Sequence, residues 1–227
     1  MILSPEAIFS IKLSVKIVLV NVLLYFTLGN LLVYYLREEN TFLKKVVSFF
    51  IDLPLIFPPI VTGFILLWIF RKHGILGEFL NKLHINVIFS FTGLVIAGFI
   101  ASVALYVKPI LSAVRSFPKN VLEASYASGK SEIYTFVKIV LPNVKNTFFV
   151  ALLLSVSKVL GEVGISLMLG GNIPFKTNTV SLEIFTAVFD SDLQTAFRLS
   201  VIMFIISIML FVLLKLFESR TKVPNLI

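Results

Sequence analysis

Five long apolar segments dominate this chain of 227 residues, and each has about the length of a membrane-crossing helix. A helix rises ~1.5 Å per residue, so about 20 apolar residues cross the ~30 Å hydrocarbon core of a bilayer. Hydrophobic residues make up 58% of the sequence and charged residues 14%, against roughly 45–50% and about 25% in soluble domains. The chain is therefore predicted to be an all-α integral membrane protein. The predicted spans are 9–36, 53–70, 88–108, 146–169 and 196–217.

The cations in the loops predict the orientation of the chain, because cytoplasmic loops carry an excess of Lys and Arg. If the segment 108–145 is cytoplasmic, twelve cations lie on that side and four on the other. The twelve are Arg37, Lys44, Lys45, Lys108, Arg115, Lys119, Lys130, Lys138, Lys145, Lys215, Arg220 and Lys222. The four are Arg71, Lys72, Lys82 and Lys176. We therefore expect a multi-pass protein of the cell membrane, with residues 1–8 outside and a cytoplasmic tail at 218–227. This orientation explains the net charge of +8, so nucleic acid is not expected as a partner.

A polar segment between the third and fourth spans predicts two short helices joined by a turn. It reads EASYASGKSEIYTFVKIVLP from Glu123 to Pro142. Ser116 and Pro118 suit the start of the first helix, and Gly129 suits the left-handed position just past its end. Ser131 can cap the second helix. Apolar residues of the second helix recur at helical spacing and are expected on one face, namely Ile133, Phe136, Val137, Val140 and Leu141.

The first of these helices carries small side chains at Ala124, Ser125 and Ser128. Such a face is a poor lipid anchor but fits closely into a cleft on another protein. Glu123 stands at its edge and can pair with a cation there. The periodicity predicts a cytosolic docking helix, although it is equally compatible with an ordinary interfacial loop.

The same segment resembles the EAA motif of type I ABC importer permeases. Glu123-Ala124-Ser125 is followed after three residues by Gly129, after nine more by Ile139, and then by Leu141-Pro142. The single departure is Ser125, where the pattern has Ala. The resemblance implies an ABC transmembrane type-1 fold over residues 9–217, with about five transmembrane helices and this segment as the coupling helix. It also implies three protein partners: a cytoplasmic ABC ATPase dimer, an extracytoplasmic oxyanion-binding protein and a second copy of the chain.

A second block resembles the corresponding part of molybdate/tungstate permeases. It reads GEVGISLMLGGNIPFKTNTVSLEIFTAV from Gly161 to Val188. Two positions depart from that subfamily, Val163 where an aromatic residue is usual and Lys158 where Arg is common. Sulfate/thiosulfate permeases have similar blocks. The resemblance therefore implies molybdate or tungstate as cargo and leaves sulfate and thiosulfate open.

Lys158 and Glu162 are candidates for the translocation pathway or its gate. They stand four residues apart in the fourth span, one helical turn, where they can pair. Charges inside a membrane usually face a cavity or a partner. An internal pair that only joins the fourth span to its neighbours is equally compatible with this spacing. Four further pathway candidates could also serve packing or helix shape alone, namely Gly161, Gly164, Pro58 and Pro59.

The segment after the fourth span is predicted to lie outside, where Asn172, Lys176 and Thr177 could receive the binding protein or meet the passing oxyanion. An ordinary exposed turn is also compatible with this segment. Residues 181–189 are expected to fold back as a short interfacial helix. In the third span Gly93, Ala97 and Ala101 recur every four residues, which predicts close helix packing.

No catalytic or metal site is expected in this chain. The sequence contains no cysteine and no G-x-x-x-x-G-K-[ST] loop, so ATP and Mg²⁺ are expected on the partner ATPase rather than here. Two rival classes are an ion-coupled secondary transporter and an intramembrane enzyme. The first would commonly have an internal repeat, and the second would need a nucleophile–base pair or metal ligands within its spans.

Overall fold

The computed structural model describes residues 4–38, 41–74 and 76–218, and all regular secondary structure within those ranges is helical. The predicted all-α class is confirmed. In chain order the helices are α1 (Pro5–Leu36), α2 (Phe42–Ile56), α3 (Pro59–Phe70), α4 (Gly77–Lys82), α5 (Phe91–Arg115), α6 (Lys119–Ala127), α7 (Glu132–Asn143), α8 (Lys145–Leu160), α9 (Gly164–Gly170), α10 (Val180–Phe189) and α11 (Leu193–Glu218). The predicted tail lies outside the described residues beyond position 218.

Within the described ranges three helices, α1, α5 and α11, are long and apolar enough to cross a membrane. Helices α7 and α8 pass the same test together despite a bend of 76°, which allows a fourth crossing. The predicted first, third and fifth spans correspond to α1, α5 and α11, although α1 begins at Pro5 and α5 continues to Arg115. The predicted second and fourth spans are each divided into two helices, and the total of about five crossings stays a prediction.

The break in the predicted second span lies at Phe57 and Pro58, between α2 and α3. Phe57 is extended, with φ −78° and ψ 144°, the region that a residue before proline prefers. Pro58 and Pro59 have no N–H donor, so α3 starts anew at Pro59. Pro54, by contrast, lies inside α2. The predicted fourth span breaks at residues 161–163, between α8 and α9.

Helix α5 lies at the centre of the bundle and packs against α1, α2, α8 and α9. Its predicted ridge of small residues, Gly93, Ala97 and Ala101, is buried, which confirms the expected close packing. The Tyr25 hydroxyl of α1 is hydrogen-bonded to the Ser102 hydroxyl of α5. These contacts fix α1 and α5 against each other, and the remaining helices are arranged around this pair.

Helix α10 confirms the predicted short helix, whose interfacial position stays a prediction. The backbone N–H of Val180 donates to the Ser14 hydroxyl of α1 at 2.9 Å. The Ser181 hydroxyl donates to the carbonyl of Leu160, at the end of α8. The first turn of α10 is therefore buried inside the bundle, because the break after α8 leaves space for it.

Candidate coupling site

A left-handed turn at Gly129 separates α6 from α7, and we call the two helices and this turn the elbow (residues 119–143). Gly129 has φ +74°, a conformation that L side chains rarely adopt. The N–H of Gly129 donates to the Tyr126 carbonyl at 2.9 Å, and that of Lys130 donates to the Ser125 carbonyl at 3.2 Å. These two bonds form a Schellman motif, which satisfies the carbonyls at a helix end. The prediction that Gly129 follows the end of the first helix is confirmed.

The starts of the two elbow helices differ from each other. The second helix begins as predicted, because the Ser131 hydroxyl accepts a hydrogen bond from the Tyr134 N–H at 3.3 Å. The first does not, since Pro118 precedes it and no side chain caps it. Ser116 instead ends α5, where its N–H donates to the Ser112 carbonyl at 3.0 Å. The predicted cap at Ser116 is wrong because α5 is longer than expected and its last turn includes this residue.

A hydroxyl–hydroxyl contact joins the two helices of the elbow. The side-chain oxygens of Ser125 and Thr135 lie 2.8 Å apart, and the two residues are 7% and 1% exposed. The predicted docking face of small residues is therefore only partly correct. Ala124 and Ser128 are exposed, whereas Ser125 faces inward. The one departure from the sequence pattern thus supplies a hydroxyl that fixes α6 against α7.

The apolar residues of α7 form two columns rather than one buried face. Phe136 and Val140 are buried, with exposures of 6% and 3%. Ile133 and Val137, one turn apart, are 64% and 47% exposed. The single-face prediction is wrong because only one column reaches the bundle, and a π-helical turn over Phe136–Val140 shifts the register between them. The exposed column of Ile133 and Val137 therefore forms an apolar patch on the outer surface of α7.

The last motif residues lie near the end of α7. Ile139 and Leu141 are half-buried and Pro142 is exposed. This end of α7 meets α8 at the 76° bend. Any displacement of the elbow would therefore act directly on α8, to which it is covalently joined.

An ion pair connects the elbow to the end of α1. Arg37 Nη2 lies 2.6 Å from Glu132 Oε2, and the Arg37 guanidinium lies 3.9 Å from the centre of the Tyr34 ring. The Tyr34 ring in turn contacts the edge of Phe136, with 5.1 Å between ring centres. Burial acts to lower the pKa of Arg37, but Tyr34 and Glu132 outweigh it and raise the pKa above its usual value. The guanidinium stays charged and holds the elbow to α1.

The end of α5 is hydrogen-bonded to the end of α1. Arg115 donates from Nη2 to the carbonyl of Leu36 at 2.8 Å, and from Nε to the carbonyl of Arg37 at 3.3 Å. These carbonyls belong to the last turn of α1, which has no following helical residues to bond them. The C-terminal ends of α1 and α5 and the start of α7 therefore form one connected cluster.

The two helix breaks contact each other at the surface of the single chain, where Pro59 and Ile60 are exposed and Gly164 is half-buried. A Cβ atom at Gly164, the first residue of α9, would lie 2.7 Å from Pro59 Cβ and 3.0 Å from the backbone N of Ile60. A Cβ at Gly63 would lie 2.9 Å from Ile165 Cα. Only glycine allows α3 and α9 to approach this closely. The predicted pathway residues Pro59 and Gly164 are thus in direct contact.

Glu162 lies in the break between α8 and α9 with its side chain only 1% exposed. Its Oε2 pairs with Lys158 Nζ at 3.0 Å, and its Oε1 accepts from the N–H of Ile165 at 2.9 Å. The predicted pairing is confirmed, and the second contact adds a cap to the first turn of α9. Lys158 remains 34% exposed, so its ammonium group can also be reached from outside the pair.

A comparison with known proteins identifies the family of this chain. Residues 12–223 match the family described as "Binding-protein-dependent transport system inner membrane component". The chain belongs to this family. The resemblance to type I ABC importer permeases is therefore confirmed, and with it the class of membrane permease that works in ABC transporters.

Several named relatives of this permease are similar over most of its length. "Probable transport system permease protein NifC" of Clostridium pasteurianum is 39% identical over 78% of this chain, which spans 62% of that relative. "Molybdenum transport system permease protein ModB" of Azotobacter vinelandii is 31% identical over 96% of each chain. "Sulfate transport system permease protein CysT" of Salmonella typhimurium is 24% identical over 96% of this chain and 78% of its own.

The turn between α9 and α10 carries the three residues that were predicted to dock a binding protein. Thr177 is fully buried, and its hydroxyl donates to the Gly170 carbonyl at 2.7 Å and accepts from the Ile173 N–H at 2.9 Å. Asn172 is half-buried and its amide donates to the Thr186 hydroxyl. Thr177 and Asn172 thus hold the shape of the turn in the single chain, and the docking role of the three residues stays a prediction. Among the three predicted docking residues, Lys176 alone is exposed.

Gly161 lies at the end of α8, and its role in the pathway stays a prediction. A Cβ there would meet only the Ser157 carbonyl of its own helix, at 3.6 Å, so Gly161 takes no part in the contact between the two breaks. The structure further adds residues that the sequence did not pair, above all Arg37 with Glu132. Opposite charges at the end of one span and in the elbow were visible, but 95 residues separate them and no local pattern joins them.

Proposed function

We propose that this permease is the membrane-spanning subunit of an importer for tetrahedral oxyanions, driven by a separate ATPase that binds the elbow. The elbow carries this proposal. Its turn at Gly129 is held by backbone bonds and its two helices by the Ser125–Thr135 contact, so it is a preformed shape. A preformed surface loses little conformational entropy on binding.

The outer surface of the elbow has the composition of a protein contact. Ala124 is small and exposed, the Ile133 and Val137 column is apolar and exposed, and Glu123 is exposed at its edge. Exposed apolar side chains next to small and charged ones are typical of binding surfaces. The elbow is bonded to the end of α1 through the Arg37–Glu132 ion pair, and the end of α1 is bonded to α5 through Arg115, so a force applied to the outer surface would reach the spans.

The orientation proposed for the permease follows from the same cluster. The elbow and the ends of α1 and α5 lie on the side that carries twelve of the sixteen cations counted in the sequence, which supports a cytoplasmic position for that side under the positive-inside rule. The start of α1 and the turn between α9 and α10 then lie outside, and Lys176 is the residue there that we expect to contact a binding protein. Two copies of the permease with two ATPase subunits would form the complete importer.

We propose molybdate or tungstate as the cargo. The support is the ModB relative, which matches 96% of each chain, and the block from Gly161 to Val188. Sulfate is the second candidate, because CysT relatives match the chain at 24–26% identity. All these anions are tetrahedral and doubly charged, so they present the same charge to the pathway and differ in size.

The meeting of the two breaks is the proposed position of the pathway or gate. Pro58 and Pro59 in one break face Gly164 in the other, and the Lys158–Glu162 pair lies beside them. Broken helices leave backbone groups unpaired by the helix, and in membranes these are tolerated where they are buried in protein or line a cavity. Short half-helices can also shift more readily than a continuous span.

The elbow is tested by reversing the charge at its edge. Glu123→Lys places a cation where we expect the ATPase to supply one, so the ATPase should no longer copurify with the permease. The matched control is Glu78→Lys, the same change at an exposed position in α4 on the opposite side. Retention of the ATPase by Glu123→Lys, or equal loss in both variants, would contradict the proposed docking surface.

The cargo is tested with the complete complex in proteoliposomes. ATPase activity is measured with the binding protein loaded with molybdate, tungstate, sulfate or thiosulfate in turn. We expect stimulation by molybdate and tungstate. Stimulation by sulfate alone would replace the proposed cargo with the second candidate, and stimulation by none of the four would refute oxyanion import.

A further inference from the structure

A charged cluster joins α2 to α5 away from the breaks and the elbow. Lys108 Nζ lies 2.7 Å from Asp52 Oδ2 and donates to the Ser48 hydroxyl oxygen at 2.9 Å. From the sequence Lys108 was placed at the end of a span, among the cytoplasmic loop cations. The structure shows that α5 continues through Pro109 to Arg115, so Lys108 lies within the helix and not in a loop.

The depth of the cluster follows from the helix lengths. Lys108 lies two turns before the end of α5 at Arg115, which is about 10 Å inside that end. Asp52 lies nearly three turns after the start of α2 at Phe42, which is ~15 Å along the helix. Both ends belong to the cytoplasmic side in the proposed orientation. The ion pair therefore lies about 10–15 Å along its two helices from that side.

The pair is too exposed to be an internal structural contact alone. The side chains of Lys108 and Asp52 are 35% and 34% exposed in the single chain, whereas Ser48 is only 6% exposed. Ionised groups at this depth avoid lipid and face a water-filled cavity or a partner. We infer that this face of α2 and α5 lines the inner half of the translocation path.

The chemistry of the cluster suits a doubly charged anion in transit. We propose that the Lys108 ammonium is a transient binding site for the oxyanion, and that the Asp52 carboxylate is the counter-ion which the oxyanion displaces. Ser48 is a positioning residue, since it is buried and holds Lys108 through its hydroxyl oxygen. When the oxyanion leaves, Asp52 pairs with Lys108 again, so the site binds strongly enough to admit the ion but does not retain it. This inference rests on the proposed function.

Charge variants separate a site for cargo from a purely structural ion pair. Lys108→Gln, Asp52→Asn and the double variant are each reconstituted with the ATPase and the binding protein. We expect Lys108→Gln to lower molybdate uptake at least tenfold, and the double variant to be equally low although no unpaired charge remains. Lys108→Arg should retain most of the uptake. A structural ion pair predicts the opposite, namely recovery of uptake in the double variant.

Thiol labelling tests the exposure of Lys108 without transport. The chain has no cysteine, so Lys108→Cys introduces its single thiol. We expect this thiol in the purified complex to react with a water-soluble, membrane-impermeant reagent, and molybdate to slow the reaction several-fold. The control is Ile110→Cys on the same helix, which is fully buried and should not react. No labelling at position 108, or labelling that molybdate leaves unchanged, would overturn the inference.

Failure of this inference and failure of the proposed function give different results. If wild-type complex imports molybdate and the double variant imports it equally well, the proposed function stands and the Lys108 site is refuted. If the wild-type complex imports no oxyanion, the proposed function itself fails. The wild-type measurement therefore precedes the variants.

Discussion

Gly129 allows the sharpest test of the elbow, because the energetic effect of its substitution has one physical source. Its φ is +74°, and no atom lies within 4 Å of the position that a Cβ would occupy. Gly129→Ala therefore meets no steric neighbour and is destabilised only by the left-handed backbone, by about 1–2 kcal/mol. Asn adopts this conformation more readily, so Gly129→Asn should destabilise the turn less than Gly129→Ala does. The β-branched Gly129→Val should destabilise it more.

This penalty predicts a measurable loss of affinity for the ATPase. If the ATPase binds only the closed turn, opening of the turn lowers the fraction of competent permease. At 1.4 kcal/mol per tenfold change, 1–2 kcal/mol corresponds to a loss of up to about 5- to 30-fold for Gly129→Ala. The measurement is a titration of purified permease in nanodiscs with the purified ATPase subunit.

The order of the variants is the decisive result. We expect affinity to fall from Gly to Asn to Ala to Val at position 129. The control is Gly161→Ala, where φ is −89° and the nearest atom to a Cβ is 3.6 Å away, so affinity should not change. Equal affinity for Gly and Ala at position 129, or an equal loss in the control, would refute a preformed elbow as the binding shape.

Three further predictions concern packing and charge. Gly164→Ala should lower the free energy of unfolding of the purified permease by about 1–3 kcal/mol, because the new Cβ would lie 2.7 Å from Pro59 Cβ. The apparent Tm should fall accordingly, and an unchanged Tm would contradict the contact. Arg37→Gln and Glu132→Gln should show a coupling energy of about 0.5–1 kcal/mol in a double-mutant cycle of unfolding, since Glu132 is 62% exposed, and a coupling of zero would exclude the link. Glu162→Gln keeps an acceptor for the Ile165 N–H of α9 and should lose about 1.5–3 kcal/mol of stability by removing the charge that pairs with Lys158, whereas Glu162→Leu also leaves that N–H unsatisfied and should lose about 1–3 kcal/mol more. Equal unfolding midpoints in detergent for the two Glu162 variants would contradict this difference.

Much of the elbow could be predicted because its determinants are local. Gly129 and Ser131 act on their own backbone and on neighbours within five residues, so turn chemistry is sufficient. The inward direction of Ser125 could not be predicted in this way. It depends on Thr135, which reaches Ser125 only after the intervening turn has closed.

Some features of the membrane spans could likewise be predicted from the sequence, and others could not. Apolar length predicted α1, α5 and α11, because a continuous helix in a membrane requires nothing more than a long apolar run. Apolar length could not predict the breaks at residues 57–58 and 161–163, because a long apolar segment has the same composition whether its helix is continuous or divided. Pro58 was visible as a candidate, but Pro109 inside α5 shows that proline alone does not decide between a break and a continuous helix.

The sequence alone determined that this chain is a helical membrane protein and that it carries a polar elbow with a left-handed turn. Those properties follow from composition, periodicity and the backbone preferences of single residues. Only the tertiary structure decided which side chains meet: Lys108 with Ser48 across 60 residues, Arg37 with Glu132 across 95, and Gly164 with Pro59 between the two breaks. Such contacts depend on how the helices pack, and packing is a property of the whole bundle that no local pattern contains.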